Sequence, residues 1–412
     1  MRLLHTSDWH LGRTLEGEPL LDQQQAALEQ LIGLAREHAV TAVLVSGDVY
    51  DRSVPSVRAV QLLQDALVEL TSFTTVIMTP GNHDDAVRFG FGSPFFRERL
   101  HIRSSLHGIE EPIELIDGDS RVLVFALPFL DPWFARDAWS TEEAPVEPRH
   151  EPVGREAMRR VRAGLERWRE AHPGVPHRTV VMAHAFVIAS PGAGESVEEL
   201  REAAKSLEVD SERDIRVGGV DYMPADVFDG VDYVALGHLH GRRSLRGPAV
   251  GTHLHYSGSI LKYSFKEESH TKGVSLVELV GQAPVTVSTL DLVQSPDIKV
   301  LTGSMEDFES RTDWLEAFAG HWIQANVTDT ARPAEMDRRV RARFPRAIQV
   351  RHTGRAEGGP DERRRVDVRV TDPLDVAADF IRRVTSGEPT DAEREVLRSS
   401  YESIIHAREV AS

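Results

Sequence analysis

Seven side chains able to bind a metal ion, and two able to move a proton, fall in five short groups along the chain. They are Asp8 and His10; Asp48; Asn82, His83 and Asp84; His184; and His238 and His240. Singly, each has an ordinary structural reading: an aspartate after a glycine usually closes a turn, and a histidine at a strand end is usually hydrogen-bonded in place. Together they form a set of oxygen and imidazole donors, which suits Mn²⁺, Fe²⁺ or Zn²⁺ better than Ca²⁺ or Mg²⁺. Seven donors exceed the needs of one ion. They suit two ions that share a carboxylate at about 3.5–4 Å, the arrangement of hydrolytic two-metal sites. Such a centre activates water for in-line attack on phosphorus and neutralises the phosphoryl oxygens. His83, beside Asn82, is placed to protonate the leaving oxygen, and Asp84 to hold that imidazole in the productive tautomer.

Each group follows an apolar run. Arg2 to Thr6, Ala42 to Ser46, Val76 to Met78, Thr179 to Ala183 and Tyr233 to Leu236 are short and β-rich, as buried strands are. Between the first three lie helical stripes, Leu28, Leu31, Ile32 and Ala35, then Ala59, Leu62, Leu63, Ala66, Leu67 and Leu70. That alternation predicts a layered α/β domain with its polar chemistry at the strand ends. Val122 to Ala126 predicts a further strand, Asp131 to Pro152 an insertion loop, and Arg155 to Ala171 a charged helix on the surface. Gly192 to Glu212 predicts a mobile loop with a short helix, and Val274 to Val280 with Val285 to Leu290 a hairpin. His253 and His255 are expected on a strand as structural residues. Gln294 to Asp297 is the expected linker.

Beyond it, strand-like runs at Ile298–Leu301, Trp322–Val327 and Ala347–Arg351 alternate with helical segments near Met305–Phe308 and Pro333–Phe344. After Pro373 come two helical segments. The second opens on a capping box, Thr390 to Glu393, and carries Leu397, Tyr401, Ile404 and Ile405 on one face.

The 412 residues contain no cysteine, so disulfides and thiolate metal sites are excluded. No run is apolar enough to span a bilayer, and the first residues do not form a signal peptide, so the cytoplasm is expected, with no membrane association. The net charge of −17 argues against a protein that coats itself in nucleic acid. Arg332 to Val366 runs the other way, with eleven arginines against five acidic residues. That run is a candidate nucleic-acid face, as are Arg242 and Arg243 just after the last histidines.

The ordered set Asp8-x-His10, Gly47-Asp48, Gly81-Asn82-His83-Asp84, His184 and Gly237-His238-x-His240 resembles that of the calcineurin-like metallophosphoesterases. The finer wording lies in His5-Thr-Ser-Asp-Trp-His-Leu-Gly12, Gly47-Asp-Val-Tyr-Asp51, Asp232-Tyr-Val-Ala-Leu-Gly-His-Leu-His240 and Tyr256-Ser-Gly-Ser259 with Ser264-Phe265. It is similar to the branch of bacterial DNA nuclease subunits that work with SMC-like ATPases. The likeness is strong through about residue 275 and architectural beyond it. It implies a two-sheet sandwich flanked by helices over residues 1–294, a small α/β capping, DNA-binding domain over 295–370, and a helical partner-docking segment over 371–412. It also implies two Mn²⁺ ions, with Mg²⁺, Fe²⁺ or Zn²⁺ as substitutes. Asp8, His10, Asp48 and His240 would hold one, and Asp48, Asn82, His184 and His238 the other, with His83 catalytic.

The implied activity is a 3′–5′ double-strand exonuclease and single-strand endonuclease for DNA repair and recombination. The implied assembly is a heterotetramer of two nuclease and two ATPase subunits. Arg242, Arg243, Arg338, Arg339, Arg341 and Arg343 are the candidate DNA contacts. Archaeal and eukaryotic relatives tend to place a second active-site histidine where this chain has Asp51, so the balance of exonuclease and endonuclease action does not carry over. A small-substrate phosphatase or nucleotidase of the same fold, and a non-catalytic scaffold, are the alternatives.

Overall fold

Leu3 and Leu4 point to opposite faces of one strand, and that alternation, repeated strand by strand, builds the fold. The computed structural model describes residues 1–96, 98–190, 222–245, 247, 251–354, 390 and 396. Met1–Gly354 forms one compact unit, and Arg355–Ser412 is a second.

In the first unit, one six-stranded sheet runs Thr286–Asp291, Gly273–Glu278, Arg2–Thr6, Ala42–Ser46, Thr75–Thr79 and Leu100–Ile102. The last four are mutually parallel. The second sheet runs Arg243–Leu245, His253–Tyr256, Tyr233–Gly237, Arg178–His184, Ser120–Ala126 and Ile113–Asp117. Its four central strands are also parallel. The sheets stack through Leu3, Leu44 and Ile77 on one side and Val124, Val180, Met182 and Ala235 on the other.

The outer faces meet helices. Leu4, Val43, Val45, Val76 and Met78 pack with the buried stripes of Leu21–Glu37 and Val57–Thr71. Leu123, Phe125, Val181 and Ala183 pack with Pro132–Trp139 and His150–Ala171. Burying each such aliphatic side chain contributes roughly 1.5–3 kcal/mol, so the order of layers follows from the period-two pattern. The expected two-sheet α/β sandwich is the architecture found.

Two expectations in the weakly patterned middle are corrected. Asp131 to Pro152 is not wholly a loop: Pro132–Trp139 is a helix, with the Asp131 carboxylate capping the N–H groups of Trp133 and Phe134. An Asp-Pro pair before an apolar stretch is a helix start, because proline suits the first helical position. The charged helix extends over His150–Ala171 and is only half on the surface, since it buries Val153, Ala157, Met158, Val161, Leu165 and Trp168. Its arginines and glutamates pair along the exposed side, as at Arg155–Glu151 and Arg160–Glu156.

Residues 298–352 form a three-stranded parallel sheet, Ile298–Gly303, Trp322–Val327 and Ala347–His352. It has its own apolar cluster around Phe308, Ile323, Val340 and Phe344. Ile298 and Trp322 also join the core of the first sheet and its helices, and Lys262 pairs with Asp297 at 2.9 Å. The loop expected at Gly192 to Glu212, the arginines at 355 and 363–365, the C-terminal capping box beyond Thr390 and the apolar stripe lie outside the described residues.

Candidate metal centre

Parallel strands place their carboxyl ends at one edge, and here both sheets present that edge together. Gly237 shows how close they come: a Cβ built on it would lie 1.9 Å from the Ser46 carbonyl oxygen, so no side chain is possible there. Gly81 is as constrained, since its Cβ would lie 2.1 Å from Asp48 Oδ1. The loops that follow the strands turn sharply. Asp8, His10, Asp48 and His238 all have positive φ, a conformation that costs a non-glycine residue about 1–3 kcal/mol and that concentrates at functional sites.

The expected donors converge at this edge. His10 Nε2 lies 3.1 Å from His240 Nε2 and 3.6 Å from Asp48 Oδ2. His184 Nε2 lies 3.3 Å from Asp48 Oδ2 and 3.0 Å from Asn82 Oδ1, which is 3.1 Å from His238 Nδ1. Donor atoms of Asp8, His10 and His240 lie within 4.8 Å of one another, as do those of Asp8, Asp48 and His184. Asp8 also accepts the His238 backbone N–H at 3.0 Å, joining a loop of one sheet to a loop of the other.

Asp8, His10, Asp48, His184 and His240 are buried, in a donor set that fits divalent cations. The electrostatics set burial against close carboxylate–imidazole pairing. Burial raises the Asp8 carboxyl above the usual range and lowers the His10 imidazole well below it. Burial also opposes ionisation of Asp48, yet the imidazoles of His184, His10 and His83 hold its carboxyl well below the ordinary value. The His184 imidazole, disfavoured by burial but facing Asp48, is pushed up to about 9.

His83 stands at the open side, its Nε2 4.0 Å from Asp48 Oδ2 and its side chain 22% exposed. Its donor atom groups with those of His10 and Asp48, so it faces the same centre. Asp84 does not have the expected contact with it. The Asp84 carboxylate accepts the backbone N–H groups of Val49, Tyr50 and Gly81 at 2.9–3.0 Å, and His83 Nδ1 meets the Asp51 carbonyl oxygen at 2.9 Å. Asp84 therefore fastens the Asp48 loop to the Asn82 loop, and the Asp51 main chain orients His83. Burial and the charge of Asp48 push the Asp84 carboxyl up to about 6, against the pull of those three N–H groups. The side chain of Asp51 lies 3.8 Å from His10 Nδ1 and 3.5 Å from Arg13.

Sequence reasoning missed the residues behind the donors. Buried Gln24 donates to the carbonyls of Trp9 and His10 and accepts the Gly12 N–H, and the Tyr263 hydroxyl also meets the Trp9 carbonyl. Gln24 was findable, since it falls on the same helical stripe as Leu28, Leu31 and Ala35. Glu267 and Lys272 reach His240 from a turn with no periodic pattern.

The candidate DNA contacts are more dispersed. Arg242 faces Asp291 at 3.7 Å, and Arg243 begins a short strand. Arg338 pairs with Glu335, Arg339 with Glu309 at 2.7 Å, and Arg341 donates to the Ile348 carbonyl. Arg343 ends the helix Met336–Arg343. The described part of the basic run is thus largely paired within its own sheet-and-helix layer.

A fold of this layering, with Asp, Asn and His donors at the shared strand edge, defines a metal-dependent phosphoesterase. The model of the calcineurin-like phosphoesterases matches residues 1–242, and the chain belongs to that family. It is a hydrolase acting on phosphoesters. The chain is 28% identical over 310 residues to the D subunit of the nuclease SbcCD from Staphylococcus epidermidis, covering 74% of each. Against the protein of the same name from Staphylococcus saprophyticus it is 28% identical over 311 residues, or 74% of this chain and 73% of that one. Among solved structures, one from Thermus thermophilus aligns at 13% identity and a TM-score of 0.37. A dimetal phosphatase from Danio rerio aligns at 11% and 0.39; both alignments cover 70% of this chain and 98% of the other. Among the described residues, no helix is long and apolar enough to cross a membrane.

Proposed function

We propose that the chain is a Mn²⁺-dependent DNA nuclease, a 3′–5′ exonuclease on duplexes and an endonuclease on single strands. In this reading it works in the cytoplasm with an SMC-like ATPase in DNA repair and recombination. The observation that carries the reading is the meeting of His10 with His240 and of Asp48 with His184, each pair drawn from both sheets, beside the more open His83. Asp8, His10, Asp48 and His240 are assigned to one ion, and Asp48, Asn82, His184 and His238 to the other. A pair of divalent cations held there supplies positive charge for the phosphoryl oxygens and lowers the pKa of water.

The chain's own groups do the rest. Asp48 links the two halves. His83, with Nδ1 committed to the Asp51 carbonyl, presents Nε2 as the proton donor to the leaving oxygen. Nuclease action is supported by the name of the Staphylococcus relatives, and DNA as substrate and the ATPase partner by the motif blocks of the first 275 residues. In this division residues 1–294 are catalytic, 295–370 cap the site, and 371–412 dock the partner.

The test is an assay of the purified chain on linear duplex, single-stranded DNA and a small phosphomonoester, with Mn²⁺, Mg²⁺ or chelator. Mn²⁺-dependent DNA degradation is expected, with little turnover of the monoester. Turnover of the monoester alone would make the chain a small-substrate phosphatase. No turnover by a metal-loaded chain would make it a scaffold.

A further inference from the structure

We propose that the buried ion pair Glu267–Lys272 positions His240 and strengthens one half of the metal centre over the other. The inference rests on His240 being a ligand, as assigned above. Glu267 is fully buried, with Oε1 3.2 Å from His240 Nδ1. Lys272 Nζ lies 2.6 Å from Glu267 Oε2, and it donates to the His240 carbonyl oxygen at 2.9 Å and to Ser259 Oγ at 2.8 Å. One residue is therefore gripped twice, its ring by a carboxylate and its main chain by the ammonium that pairs with that carboxylate.

A buried ion pair is a costly way to fill a core, since apolar residues of similar volume often serve stability as well or better. Its position against a donor histidine gives it a different use. With Nδ1–H donating to Glu267, the lone pair of His240 Nε2 is turned toward Asp8 and His10, and the carboxylate makes the imidazole a stronger donor. In the other half, His184 Nδ1 meets the neutral carbonyl of Ser46 at 2.9 Å. Because its contacts are with His240, the pair acts on the ion assigned to Asp8, His10, Asp48 and His240 rather than on its neighbour.

The double variant Glu267→Gln/Lys272→Met removes both charges together, so neither is stranded in the core. Mn²⁺ titration by calorimetry on the purified full-length chain should show two equivalents in the wild type. In the variant one of them should weaken by about 10–100-fold, the usual weight of such an outer carboxylate, while the other stays within about threefold. The weakened equivalent should be the one that Asp8→Ala also loses. Equal weakening of both, or none, in a variant whose metal-free melting temperature is unchanged would overturn the proposal. If the variant does not fold, nitrogen NMR of the wild-type histidines decides: His240, identified by its loss in His240→Gln, should keep Nδ1 protonated with and without Mn²⁺. An Nδ1 without its proton would overturn the proposal. A wild-type chain that binds no Mn²⁺ would instead remove the metal-centre reading itself.

Discussion

His10 and His240 face each other Nε2 to Nε2 at 3.1 Å, one carried by a loop of the first sheet and the other by a loop of the second. A divalent cation shared by such groups ties the two sheets together, so its binding free energy becomes folding free energy. At a hundred times Kd one site adds about 2.7 kcal/mol. Scanning calorimetry should show a melting temperature a few degrees higher in Mn²⁺ than in chelator, reversed by excess chelator. A melting temperature indifferent to Mn²⁺ would mean that these residues hold no ion in the folded chain.

Asp48 stands between the halves, near both His10 and His184, and its loop is held in place by Asp84. Asp48→Ala should therefore lower occupancy at both positions, whereas Asp8→Ala should mainly empty one. Metal analysis of the purified variants separates the two outcomes. Two full equivalents in Asp48→Ala would end its assignment as the shared ligand.

His83 faces the centre from its open side with Nδ1 already bonded to the Asp51 carbonyl. His83→Ala should keep both metals and DNA binding while losing about 10²–10⁴-fold in turnover, the usual weight of general acid catalysis. Loss of metal in this variant would make His83 a ligand, and near-normal turnover would remove it from the mechanism.

The strand ends were legible because an apolar β-rich run that stops at a glycine or a polar group has few other readings. Asp48 after Gly47 and His238 after Gly237 announced themselves in that way. What failed was adjacency. Asp84 follows His83 in sequence, yet the turn sends its carboxylate back onto three main-chain N–H groups. Glu267 stands 27 residues beyond His240, in a short turn of Phe265–Glu267, and no spacing rule joins them. The helix Pro132–Trp139 was hidden by the prolines and acidic residues around it, although Asp131-Pro132 is a helix start. The basic run was legible only as a count of charges, which does not show that Arg338 and Arg339 have acidic partners nearby.

A last prediction concerns two histidines that the chemistry does not use. His5 and His255 sit 6.1 Å apart, ring to ring, between the sheets. His5 Nδ1 meets the Tyr233 hydroxyl at 2.8 Å, and His255 lies between Ser244 and Ser275 at 2.9 and 2.8 Å. Burial, and then the neighbouring His255, holds the His5 imidazole well below its ordinary value. Burial, then His253 and Arg242, lowers His255 to about 3. Both rings are therefore neutral in the folded chain, while in the unfolded chain they take up protons near pH 6.5. Their contribution to stability is complete above that pH and falls as the pH drops toward 3, by up to about 1.4 kcal/mol per pH unit for each ring. The metal-free chain should melt lower at pH 5.5 than at pH 7.5. Other buried groups share in that fall, so the informative comparison is with His255→Gln, which keeps hydrogen bonding to the serines but cannot take up a proton. Its fall over the same interval should be smaller by about 1 kcal/mol. Wild type and variant losing stability in parallel would show that His255 does not set the acid limit of the sandwich.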